Sequence, residues 1–104
     1  MGCPLNNDIT SFIKNVKNDN YEEAFKTLSN TTVMPAICGK ICPHEKQCQG
    51  SCVKRVSYEA VKIGDIESFI GDLAIENNWK FLKKDKKNKK VLVVGSGPAG
   101  LTCA

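Results

Sequence analysis

Apolar residues recur at helical spacing in three stretches of the chain. Ile9, Phe12, Ile13 and Val16 fall on one face of a helix, and Asn7 or Asp8 before them can cap it by accepting backbone N–H bonds. Asn18-Asp19-Asn20 breaks this helix and caps the next, where Tyr21, Ala24, Phe25 and Leu28 share a face and Glu22 and Glu23 suit the N-terminal dipole. The two predict a helical hairpin whose apolar stripes are core. A third helix is expected from Gly64 or Asp65, with Asp65 as N-cap and Ile66, Phe69, Ile70 and Leu73 facing inward. Between the hairpin and this helix, Pro35 and Pro43 act as breakers, with short helical turns expected over 36–41 and 46–52. "SYEAVKIGD" reads as a loop or short extended piece. Trp79, Phe81 and Leu82 are expected to fold back on the helices. The pattern then changes: "VLVV" at 91–94 predicts a fully buried parallel strand, and "LTCA" after "GSGPAG" begins a helix. The fold class is therefore mostly α, a small helical domain over 1–82 followed by a strand–turn–helix over 91–104.

Composition narrows this little. The 104 residues suffice for one small domain, and 41% hydrophobic against 25% charged content is that of a soluble globular chain. No apolar run approaches the ~20 residues of a membrane span. "MGCPLNND" has neither the basic region nor the apolar core of a signal peptide, and Asn6 stands where a myristoylation pattern wants Ser or Thr. The formal charge of +4 is concentrated in "KKDKKNKK", residues 83–90, with six lysines and one aspartate. No aromatics interleave this run, so it reads as a solvated linker, and no nucleic-acid partner is expected. A cytoplasmic, reducing setting is expected, in which six cysteines argue for metal ligation over disulfides.

Four of those cysteines lie in "CGKICPHEKQCQGSC", Cys38 to Cys52, spaced C-x3-C-x5-C-x3-C. Each i, i+4 pair, Cys38–Cys42 and Cys48–Cys52, would point its sulfurs the same way on a helical turn. Pro43 biases Cys42 toward extended backbone. Cys3-Pro4 repeats the Cys-Pro pairing, which closes the iron–sulfur run of bacterial ferredoxins. Zinc tolerates C-x3-C, but its pairs are usually separated by ~12 residues or more, and five are left here. A [4Fe–4S] cluster suits ligands gathered from dispersed turns. Spacing favours a cluster over a zinc-stabilised four-cysteine binding module without redox role, and leaves inert thiols as a third reading. His44 follows the Cys-Pro pair and could approach a cluster edge, but a solvated loop position is expected. Lys40 and Lys46 are expected to face water, and Cys103 to be a small buried hydrophobe.

"CPLNNDITSFI", "ICGKICPHEKQCQGSC", "VKIGDIESFIGD" and "VLVVGSGPAGL" follow in that order. Together they resemble the N-terminal iron–sulfur module of the glutamate synthase small subunit, found also in the NADPH–ferredoxin oxidoreductase large subunit and in dihydropyrimidine dehydrogenase. The resemblance implies a helical domain with two [4Fe–4S] clusters leading into an FAD- and NAD(P)H-binding flavoprotein. Its clusters would pass electrons between the flavin and a second active site or a partner subunit. It implies one cluster held by Cys3, Cys42, Cys48 and Glu67, the last a position where family members vary between Glu and Gln. The second would use Cys52 and three cysteines expected upstream of residue 1. Cys38 sits in the motif as a further candidate ligand. From the residues alone, Glu67 is a first-turn carboxylate favoured by the helix dipole.

"GSGPAG" places Gly95, Gly97 and Gly100 as G-x-G-x-x-G between a strand and a helix. Gly95 permits the tight turn, Gly97 the approach of a pyrophosphate, and Gly100 the packing of helix on strand. This reads as the opening of a Rossmann-type dinucleotide-binding domain, which the resemblance implies is an FAD domain. Only four residues follow Gly100, and the acidic ribose-binding residue is due ~20 residues on. The expectation is a piece of a larger oxidoreductase, which alone neither holds FAD nor turns over.

Overall fold

The computed structural model describes residues 2–81 and 85–104. Asp8 is the cap of α1 (Ile9–Lys17), its carboxylate accepting from the Ser11 backbone N–H at 3.0 Å. The break at 18–20 forms as expected, with Asp19 in the left-handed region (φ 57°); Asn20 stands at the N-cap position of α2 (Tyr21–Ser29) but its side chain makes no capping bond. α1 and α2 make the hairpin, and Phe12, Ala24, Phe25 and Leu28 are its buried stripe. Burying each of the larger side chains contributes roughly 1.5–3 kcal/mol. Trp79 and Phe81 return onto Phe25, with ring centroids 5.9 and 5.0 Å away. Leu82 lies outside the described residues.

Pro35 opens α3 (Pro35–Ile41) at a position where its missing N–H costs nothing. Cys42 ends it in extended backbone (φ −63°, ψ 143°), as Pro43 requires. The expected helical turn over 46–52 is instead a run of turns between two 3-10 segments, His44–Lys46 and Val53–Val56.

α4 (Ile63–Glu76) starts earlier than expected, with Lys62 rather than Asp65 at the N-cap. Its inward face is also rotated from the one read off the large apolar residues. Ile63, Gly64, Glu67, Ile70, Gly71 and Ala74 are buried, whereas Phe69 is 48% exposed and meets Tyr21 edge-on at 5.7 Å. Packing against α3 decides this, since a Cβ on Gly71 would overlap the Ala36 backbone. Two small residues let the helices approach closely, and the face carrying them goes inside. Lys40 straps α3 to α4 through Asp72 at 3.1 Å.

No strand forms among the described residues. The expected buried strand at 91–94 is exposed, Leu92 at 88% and Val94 at 89%, because a parallel strand is buried only by neighbouring strands and covering helices. The turn after it keeps its local form. Gly95 has φ 110°, and α5 (Pro98–Cys103) begins at Pro98. Cys103, expected to be buried, is exposed. No helix among the described residues is long and apolar enough to cross a membrane.

Candidate metal centre

Four parts of the chain deliver side chains to one pocket of about 200 Å³, whose wall includes Cys3, Cys38, Cys42, Cys48, His44 and Glu67. Cys3 arrives on the N-terminal strip. Gly2 beside it is pressed so closely against Ser51 that a Cβ would overlap that side chain. The Thr31 hydroxyl donates to the Asn7 side chain, tying the same strip to the end of α2. Cys38 and Cys42 come from the last turn of α3, where the Cys42 N–H donates to the Cys38 carbonyl at 3.1 Å. Cys48 comes from the turns after it, and Glu67 from the second turn of α4.

The electrostatics are those of a site short of positive charge. Glu67 is only 6% exposed, and burial raises its carboxyl to about 7. Burial likewise pushes the Cys42 thiol up to about 11, with the neighbouring Cys38, Glu67 and Cys3 adding to it. Cys48 is raised for the same reasons, burial first, against the opposing hydrogen bond from the Gln49 backbone. Neighbouring acids add to burial in making the Cys42 and Cys48 thiols harder to ionise, and a cationic centre would reverse that. The donor set of thiols plus a buried carboxylate fits an iron–sulfur cluster. It fits a single zinc ion less well, which needs its donors about 2.0–2.3 Å from one point. Among the described residues no three His, Cys, Asp or Glu side chains converge that tightly.

Cys52 does not line this pocket. It lies on the wall of a larger cavity of about 590 Å³, together with Cys3, Cys48, Gly2, Asp8 and Val61. Its thiol is pulled below the ordinary range by backbone N–H groups, that of Val61 first, then those of Lys54 and Arg55. Cys48 lines both cavities and Cys52 the larger one alone, with residues 48–52 forming turns and not helix.

Two contributors were not expected from the sequence. His44, read as solvated, is half-buried with both ring nitrogens engaged, Nδ1 at 3.4 Å from Cys48 Sγ and Nε2 at 3.1 Å from the Gly39 carbonyl. Buried Thr32 holds its hydroxyl 3.6 Å from Cys38 Sγ and accepts from the Met34 N–H at 3.1 Å. The i, i+4 spacing of His44 and Cys48 was visible, but one histidine in a loop carries no periodicity to argue from. Nothing local marks Thr32.

Gly95, Gly97 and Gly100 are not part of this centre. Gly95 and Gly97 sit on the exposed turn before α5 and Gly100 within α5, where a Cβ on Gly100 would overlap the Gly95 carbonyl.

Comparison with known proteins gives a consistent result. Residues 1–79 match the family model described as dihydropyrimidine dehydrogenase domain II, 4Fe–4S cluster. The chain is 38% identical over 104 residues to the NADPH glutamate synthase small chain of Escherichia coli K12, covering 98% of this chain and 22% of that one. It is 40% identical over 105 residues to the same protein of Bacillus subtilis 168, covering 99% and 21%. Identity to the NADPH-Fe(3+) oxidoreductase subunit beta of Geobacter sulfurreducens is 33% over 104 residues, covering 98% and 15%. The chain thus spans about a fifth or less of the length of these relatives.

Proposed function

Because the chain belongs to the family of 4Fe–4S cluster domains typified by dihydropyrimidine dehydrogenase domain II, we propose that it is the electron-transfer module of an NAD(P)H-dependent flavoprotein oxidoreductase of the glutamate synthase small-chain type. The observation that carries this is the convergence of thiols from three segments with a buried carboxylate on one pocket. Cys3, Cys42, Cys48 and Glu67 are the proposed ligands. When bound, the cluster supplies one-electron transfer at a potential set by its ligands, charge and hydrogen bonds.

The remaining roles belong to the protein. The extended backbone at Cys42 ends α3 at a proposed ligand. α4 holds Glu67 out of water, where its hard oxygen ligand would give this cluster a potential different from an all-thiolate one. Cys38, beside Cys42 and hydrogen-bonded to Thr32, is a neighbour of the site and not one of the four ligands in this assignment. Cys52, held by backbone N–H groups in the larger cavity that Cys3 and Cys48 also line, is assigned to a second cluster completed by cysteines outside these residues.

Residues 1–82 form the cluster domain in this reading, and 83–90 a lysine-rich linker, of which 83 and 84 lie outside the described residues. Residues 91–104 are the first strand, turn and helix of an FAD domain, with Gly95, Gly97 and Gly100 as its phosphate loop. The strand at 91–94 would gain its sheet from the rest of that domain. Partners are the remainder of the flavoprotein and a larger oxidoreductase subunit or other electron-transfer partner. The setting is the cytoplasm, where thiols stay reduced.

Anaerobic reconstitution with iron and sulfide tests the assignment. A brown protein with about four iron and four sulfide per chain is expected, and Cys42→Ser or Cys48→Ser loses it. Stoichiometric zinc with no visible absorption, or iron content unchanged in both variants, would overturn the assignment.

A further inference from the structure

The pocket that Glu67 lines holds more donors than one cluster takes from the protein. Cys3, Cys42, Cys48 and Glu67 supply one ligand for each iron, and Cys38 stands on the same wall as a further donor. Cys38 lies one helical turn before Cys42, and both residues line the pocket. Cys38 and Glu67 also flank the tightest contact between their two helices. A Cβ on Gly39 would overlap the Ser68 backbone nitrogen and the Gly64 carbonyl. The residue before Gly39 and the residue before Ser68 therefore sit where α3 and α4 touch. Glu67 is 6% exposed, and no hydrogen bond reaches its carboxylate among the described residues. A buried carboxylate without a donor is completed by a cation in the pocket it lines.

Cys38, in contrast, has a partner of its own. The Thr32 hydroxyl oxygen accepts from the Met34 N–H at 3.1 Å, which leaves its proton for Cys38 Sγ at 3.6 Å. A neutral hydroxyl on sulfur is a weaker hold than a bond to a charged group. It keeps the sulfur beside the pocket without fixing it there.

We propose that Cys38 is the reserve fourth ligand of this pocket, taking the iron that Glu67 holds when the carboxylate is withdrawn. The inference rests on the cluster reading above and adds to it a second, all-thiolate form of the same centre. Exchange breaks one iron–oxygen bond and forms one iron–sulfur bond, and the thiol proton passes to the released carboxylate. No electron moves and the net charge is unchanged. The two forms differ in potential because ligand type sets it. His44 also lines the pocket. Its Nε2 meets the Gly39 carbonyl at 3.1 Å and a Cβ on Gly64 would overlap the ring, so it is wedged between α3 and α4 and does not swing into the place of Glu67.

Anaerobic reconstitution of the parent, Cys38→Ser, Glu67→Ala and the double variant tests this, each chain first checked for the parental helical circular dichroism. The parent and Cys38→Ser are expected to hold the same iron and sulfide at the same midpoint potential. Glu67→Ala is expected to keep about four iron per chain at a displaced potential. The double variant is expected to lose the cluster as Cys42→Ser does. If Glu67→Ala does not fold, Glu67→Leu takes its place, restoring bulk without a donor atom. Alkylation of the loaded chains with peptide mass spectrometry then identifies the replacing ligand. Cys38 should be modified in the parent and protected in Glu67→Ala, with exposed Cys103 modified in both.

A Glu67→Ala chain that loses its cluster or keeps the parental potential overturns the proposal. So does a Cys38→Ser chain that loses its cluster, a double variant that keeps it, or a Cys38 that is modified in loaded Glu67→Ala. In each of these cases the parent still loads and the cluster reading stands. A parent that takes up no iron and sulfide overturns both.

Discussion

Burial raises the Glu67 carboxyl to about 7 from an ordinary 4.5. In the metal-free domain the folded state therefore binds this proton more tightly than the unfolded chain does. The stability it contributes is fully present below about pH 4.5 and is lost as pH rises through about 7. The cysteines with raised values titrate higher, Cys42 at about 11, and do not enter that window. Urea unfolding of the metal-free protein should show a fall in stability on the order of 3 kcal/mol between pH 4.5 and 8. Glu67→Gln should flatten that slope, and a slope unchanged in the variant would mean that another group causes it. Glu67 could be placed in the first turns of a helix from the sequence, but its burial could not. Burial there is set by how closely α3 approaches, which residues 36 and 71 decide.

At the scale of elements, the α3–α4 contact is the joint on which the site depends. Glycine to alanine in a helix usually stabilises it by about 1 kcal/mol. Gly71→Ala is expected to do the opposite, because the new methyl meets the Ala36 backbone and its Cβ at 2.8 Å, and overpacking of this kind costs about 1–3 kcal/mol. A lowered urea midpoint, with iron retention reduced as Cys42 moves away from Glu67, is the expected result. A gain in stability would show that the helices separate at no cost. Asp8→Ala tests an element end that was legible from the sequence. Loss of the Ser11 bond should cost about 1 kcal/mol, measured by the same unfolding, with the cluster pocket unaffected. Capping and the hairpin could be read in advance because both depend on residues within a turn or two of each other. The face of α4 could not, because large apolar side chains such as Phe69 outweigh glycines in any reading of periodicity.

For the whole molecule, the division lies after the aromatic return at Trp79 and Phe81. The hydrophobic core draws on residues from α1 to Trp79, while 85–104 is almost entirely exposed. A chain ending at residue 81 should keep the helical signal and melting temperature of the four-helix unit, within about 0.5 kcal/mol as for surface changes generally. It should also self-associate less, because "VLVV" presents unpaired backbone and apolar side chains to a neighbouring copy. Light scattering of the two chains at equal concentration checks this. A loss of cooperative unfolding in the shorter chain would show that the tail supports the core.

The sequence by itself determined the candidate ligands, where the hairpin begins and ends, and the glycine turn before α5. Those properties are carried by residue type, by spacing along the chain and by turn-forming side chains, all local in origin. Only the tertiary structure decided which cysteines share a pocket, that Cys52 stays off the one that Glu67 lines, that His44 bridges two helices, and that Glu67 is shut away from water. Each of those depends on distances between segments far apart in the chain, and such distances are set by how closely backbones can pack once small residues meet across an interface.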